Sequence, residues 1–228
     1  NASEGQYLLN VLNAPEIGEY NREQLATIMP ILHVLSFLPE KEIERLEFSI
    51  EPYLEFRRHV GEFFDTHFRP LCKKLCFDTD LSACCGFESI ITFFADHVIS
   101  LLYSSEREIR ALTAVLERPN PTQRCVFLGS SGCLWRIPPI SCAMFLCARV
   151  KEEVFHGHPE VSDAWSHLLL EEKRFTWPDK PVLFDELESF FLERGVDSPR
   201  MFFHRSPGLL RVKSKAGLWA RPGRPRRS

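Results

Sequence analysis

Eight cysteines stand at Cys72, Cys76, Cys84, Cys85, Cys125, Cys133, Cys142 and Cys147, in two groups with none between Cys85 and Cys125. Thiols serve as small buried hydrophobes, as disulfide halves or, once deprotonated, as soft metal ligands. Core packing alone would scatter them along the chain. A chain of 228 residues buries enough surface to fold without covalent staples, and a bridge between the adjacent Cys84 and Cys85 would be strained. Metal ligation suits the local chemistry better. Cys72 and Cys76 are four apart, so on a helix both sulfurs face one side. Cys84 and Cys85 precede Gly86 and a helical apolar pattern, which places them at a helix N-terminus, where backbone N–H groups and the helix dipole lower a thiol's pKa.

The second group has a different framework. Cys125 and Cys133 flank Gly129-Ser130-Ser131-Gly132 and can meet across a hairpin, as thiols do in zinc ribbons. Cys142 and Cys147 are five apart, about 140° around a regular helix, so either the helix breaks there or the two serve different sites. With Pro138-Pro139 as a rigid corner, Cys125, Cys133 and Cys142 are expected around one point. Cys147 or the earlier group would complete the shell, and the two groups are expected to form one continuous region.

These residues resemble a known family. The run C-V-F-L, then G-C, then P-P-x-x-C and a further cysteine is similar to the second half of the YkgJ-like proteins, described as a zinc- or iron-chelating domain with a CxxCxxxxCC signature. Cys72, Cys76 and the Cys84-Cys85 pair look like its first half, although C-x3-C-x7-C-C has longer gaps than that signature. The resemblance runs from about Cys72 to Cys147 and implies all eight cysteines as ligands for zinc or iron, the latter including an iron–sulfur cluster. It implies metal binding first, structural or sensory. Some relatives are described as iron–sulfur oxidoreductases or flagellin lysine N-methylases, so an enzyme is the alternative. A third reading is a metal-stabilised interaction module that offers a basic tail to an acidic partner.

The elements that must position these thiols read as mainly α, a helical domain with a small β-hairpin and a cysteine-rich metal-binding centre. The regions are an N-terminal helical part over 1–70, a cysteine-rich part over 71–150, a C-terminal helical part over 151–210 packed on it, and a disordered basic tail over 211–228. Apolar periodicity predicts a helix over 22–38 interrupted at Pro30, a long one over 41–68, one after Gly86 extending to Leu102, and one opened by the capping box Ser105 to Glu108. A short helical piece from Ser141, a helix around 161–173 and another over 181–194 closed by Gly195 follow.

Several function classes lack their usual signs. From Arg205 onward there are eight Lys or Arg and no acid, which leaves 20 basic against 31 acidic side chains in the rest, a poor balance for nucleic-acid binding. No apolar window reaches a bilayer's thickness, and no charged stretch followed by an apolar run opens the sequence, so a cytoplasmic protein is expected. The glycine-rich phosphate loops, H-E-x-x-H and G-x-S-x-G are absent. His97, His156, His158 and His167 are candidate further ligands, with core packing or solvated turns as the plainer expectation. The acids Asp179, Asp185, Glu186 and Glu188 suggest a carboxylate pair or, more simply, the wet face of an amphipathic helix.

Overall fold

A computed structural model describes residues 14, 16–79, 91–120, 122 and 124–218. Among them the chain is mainly helical, with eleven α-helices and one two-stranded antiparallel sheet. Helices α1 (Glu19–Phe37) and α2 (Glu40–His67) are followed by the single turn α3 (Arg69–Cys72), which runs into a π-turn over Lys73–Phe77. Next come α4 (Phe94–Leu102), α5 (Glu106–Leu116), β1 (Leu128–Gly129) and β2 (Gly132–Cys133). The C-terminal half holds α6 (Ile140–Ala143), α7 (Ala148–Phe155), α8 (Pro159–Thr176), α9 (Leu183–Leu192), α10 (Phe202–Arg205) and α11 (Pro207–Lys215).

Helix α4 is the axis of the core. Every residue from Phe94 to Leu101 is buried, so this helix has no wet face and must be covered all round. It packs against α1 on one side and α9 on the other. Its first turn is capped by its own Asp96, whose Oδ2 accepts from the Phe93 N–H at 2.9 Å while Oδ1 accepts from the Ile140 N–H at 2.9 Å. The start of this helix therefore lies at Phe94 and not after Gly86, since residues 91–93 are non-helical. Helix α1 likewise runs unbroken through Pro30, where the periodicity predicts an interruption. The hydrogen bond that Pro30 cannot donate is offset by complete burial of Ile28 and Ile31 on either side.

Aromatic side chains join α2 to α8 and α9. Tyr53 meets Phe175 edge-on at 5.3 Å and Phe184 at 5.5 Å, and Phe56 stacks on Phe175 at 5.4 Å. Each such pair contributes roughly 0.5–1.5 kcal/mol beyond its buried area. The main apolar cluster takes residues from Leu25 to Phe203, and so draws on the N-terminal, cysteine-rich and C-terminal regions alike. A smaller cluster of Phe68, Leu146, Val150, Val161 and Trp165 lies at the far end of α2.

The hairpin is shorter than its β-prone sequence suggests, with Leu128 opposite Cys133 and Gly129 opposite Gly132. Gly132 takes φ 121°, a region that only glycine enters without strain. The capping box of α5 is formed as the sequence predicts: the Glu108 N–H donates to Ser105 Oγ at 3.3 Å and Glu108 Oε2 accepts from the Ser105 N–H at 2.8 Å. Ser105→Ala should lower stability by about 1 kcal/mol, and Ser105→Thr should recover most of it, both read from urea unfolding midpoints. An unchanged midpoint in Ser105→Ala would mean that the box contributes nothing.

The basic segment is ordered further than its composition implies. Residues 211–215 belong to α11, whose Lys213 is buried and donates from Nζ to Asp185 Oδ1 at 2.5 Å. Positive charge there reads as a solvated tail only because its carboxylate partner lies 28 residues earlier in the chain. Residues 219–228 lie outside the described set.

Candidate metal centre

Six of the eight cysteines are described. Cys84 and Cys85, with the helix entrance expected beside them, fall outside the described residues. Cys72 ends α3, Cys76 lies in the π-turn, and Cys147 caps α7. Burial pushes the Cys72 thiol up from its ordinary range, and charge on Cys147 and Cys76 would push it further. Those three sulfurs therefore share one electrostatic neighbourhood, and Cys72 and Cys147 both pack against the smaller apolar cluster.

Cys125, Cys133 and Cys142 form a second neighbourhood. Cys142, on α6, is pushed up to about 12, chiefly by burial. The Ser141 hydroxyl, 4.0 Å from its sulfur, opposes that shift, while Cys133 and Cys125 add to it. The same three sulfurs bear on Tyr20, whose hydroxyl is raised first by burial and then by Cys125. Cys133 is exposed on β2 and Cys125 is buried below it.

Cys133 and Cys125 are near enough to Cys142 to influence its charge, but among the described residues the three do not gather around one point as the hairpin and the Pro138-Pro139 corner predict. The expected break between Cys142 and Cys147 is present: α6 stops at Ala143, and Cys147 opens a new helix and joins Cys72 and Cys76. Sequence reasoning expected one continuous region, whereas the two trios attach to different apolar clusters. Among the described residues, no group of three or more His, Cys, Asp or Glu closes to the spacing of a metal shell.

The chain matches no family model, no curated protein and no solved structure.

The candidate histidines have other roles. His97 is fully buried on α4, where its Nδ1 donates to the Phe93 carbonyl at 2.9 Å and its Nε2 lies 2.7 Å from the Gln24 side-chain amide. Burial drives its pKa down to about 3, so the ring is neutral and Nε2 must accept. Gln24 here presents Oε1 to the ring and donates from its amide nitrogen to the Thr92 hydroxyl at 2.8 Å, whereas a neutral ring whose Nδ1 donates calls for the amide the other way round. The edge of the His97 ring also meets Trp135 at 5.0 Å. His156, His158 and His167 are exposed, and His158 bonds Glu160 at 3.2 Å.

The acids on α9 are a correction. Asp179 and Glu186 are in water as an amphipathic helix predicts, but Asp185 and Glu188 are buried. Glu188 accepts from His204 Nδ1 at 2.8 Å and from the Phe203 N–H at 3.3 Å, while Asp185 takes Lys213. They clamp α10 and α11 onto α9. The one sequence signal for this was a basic, aromatic run, M-F-F-H-R, close after a helix with two acids on its inner turn.

Proposed function

We propose that the chain is a cysteine-rich metal-binding protein that holds zinc or iron through two thiolate groups. The feature that supports this reading is the electrostatic grouping of the six described cysteines into two trios, Cys72 with Cys76 and Cys147, and Cys142 with Cys133 and Cys125. Two thiols remain in the sequence, Cys84 and Cys85, one for each trio, which is the number two four-coordinate ions need. Division into two neighbourhoods favours two separate ions over a single iron–sulfur cluster. The resemblance to YkgJ-like proteins accords with this.

Bound metal would supply cross-links between short elements that bury little surface of their own, tying α3 and the π-turn to α7 and the hairpin to α6. Because burial keeps Cys72 and Cys142 protonated in the free protein, uptake must expel protons and weaken as pH falls. Among the described residues no helix is long and apolar enough to cross a membrane.

The test is elemental analysis of the full chain purified without air, alongside thiol counting before and after chelation. The paired change Cys72→Ser with Cys147→Ser should remove about one metal equivalent and leave the other, and Cys125→Ser with Cys142→Ser should do the converse. Iron–sulfur binding would show visible absorption, and zinc none. Eight freely reactive thiols in protein given excess zinc and iron would end the metal reading and return these cysteines to core packing.

A further inference from the structure

Between α2 and the chain leaving the hairpin lies an open cleft of about 490 Å³, a size typical of small-molecule sites. Leu54 and Phe64 form its apolar wall on α2, and Ile137 and Pro138 face them. Four arginines surround this apolar interior, Arg57, Arg58, Arg69 and Arg136, against a single lining carboxylate, Asp65. Two of the four are already neutralised: Arg69 pairs with Asp65 at 2.6 Å, and Arg58 bonds Glu55 at 2.6 Å and also pairs with Glu62.

The other two are not. Arg136 reaches Glu108 only at 3.8 Å, beyond hydrogen-bonding distance. Arg57 makes no ion pair among the described residues; it donates to the Tyr53 hydroxyl at 2.9 Å, and its Nε is buried without a hydrogen-bond partner. Asp96, on the core side, feels the Arg57 charge without bonding it. A half-buried guanidinium that is short of acceptors costs desolvation energy, and an arriving anion recovers it. Arg57 and Arg136 stand on opposite walls, one on α2 and one after β2, so one acidic head can lie between them while the apolar walls cover what it carries.

We infer that this cleft binds a small amphiphilic anion, an acidic head group on an apolar body, with Arg57 and Arg136 holding the head. Cys142 also lines the cleft, but no sulfur enters the inference, and its failure would leave the metal reading standing. Carboxylate and phosphate heads share the chemistry that two guanidinium groups recognise.

The test is calorimetric titration of the full chain with decanoate and decyl phosphate, each below its micelle concentration, with decanol and decylammonium as controls. One equivalent of an anionic probe should bind, and whichever of the two binds more tightly identifies the head group. Arg57→Met combined with Arg136→Gln should weaken binding at least tenfold. Gly61 supplies a second variant: it lines the cleft, and a Cβ there meets nothing within 4 Å, so Gly61→Leu fills the space without disturbing the helix. That variant should fold with undiminished stability and lose the probe. Decanol or decylammonium binding as tightly as decanoate, an arginine double variant with wild-type affinity, or no binding of either anion would each overturn the proposal.

Discussion

Acidification from pH 6.5 toward pH 3 is expected to remove about 4–5 kcal/mol of stability through His97 alone. The folded protein keeps this ring neutral because it is buried; the Phe93 carbonyl pulls the other way, and the Arg200 charge adds a smaller push down. Its folded pKa of about 3 lies below the ordinary value near 6.5. Between those limits the unfolded chain binds a proton that the folded chain refuses, so the contribution is complete above pH 6.5 and is lost as pH falls. Asp96, its neighbour, has the opposite sign. Burial raises that carboxyl to about 6, against the two backbone N–H groups that lower it. From about pH 6 to 4 the folded state therefore holds a proton that the unfolded state lacks, which adds up to about 3 kcal/mol as pH falls. Glu188, also raised by burial, acts in the same direction.

The wild-type profile should therefore be shallow between pH 6 and 4 and steep below. Urea unfolding across this range separates the contributions. Asp96→Asn should steepen the loss between pH 6 and 4, and His97→Gln should reverse it, so that stability rises with acid. An acid profile in His97→Gln that matches wild type would remove the ring from the explanation.

Glu188→Ala is expected to cost about 3–5 kcal/mol, among the largest effects of any single change in the protein. The carboxylate is wholly buried, and its removal leaves the Phe203 N–H and His204 Nδ1 without their acceptor while opening a void beside α9. Glu188→Gln keeps one acceptor oxygen in place and should cost clearly less. The loss should fall on the docking of α10 and α11, so amide exchange at 202–215 should quicken more than exchange in α4. A cost below 1 kcal/mol, or uniform quickening, would show that the clamp is not what holds this segment.

Local signals in the sequence were read well and long-range ones were not. Helix α2, the box at Ser105 and Glu108, the hairpin turn and the glycine at Gly195, with φ 80°, all depend on residues within a few positions of one another. Asp185 and Glu188 were assigned to water because a carboxylate on an amphipathic helix usually belongs there, and only a partner far along the chain reverses that expectation. Helix α4 shows the same effect: its sequence pattern extends back toward Gly86, but the Asp96 carboxylate bonds Phe93 on one side and Ile140 on the other, and so fixes the start at Phe94. The candidate site divides similarly. The turn and the two prolines suggested Cys125, Cys133 and Cys142 around one point, which the described residues do not show, whereas the nearness of Cys147 to Cys72 follows from how α7 and α8 pack at the end of α2, which no spacing encodes. Arg57 and Arg136 carry no motif at all.

The polar residues buried on α1 have a consequence for synthesis on the ribosome. Asn21 caps the end of α5 through the Leu116 and Arg118 carbonyls, Gln24 joins Thr92 and His97, and Thr27 meets Ser198 at 2.8 Å, with Glu23 pairing Arg200 at 2.6 Å. These partners are spread along the chain; Ser198 follows Thr27 by 171 residues, and Arg200 comes just after it. At about 5–20 residues per second, α1 leaves the tunnel on the order of ten to thirty seconds before Ser198 exists. Asn21 and Gln24 find their partners in chain made well before then, but Thr27 and Glu23 stay without theirs until Ser198 and Arg200 are added. Native docking of the first described helix is thus among the last events of translation, and nascent chains stalled before Ser198 are the ones that chaperones should recognise.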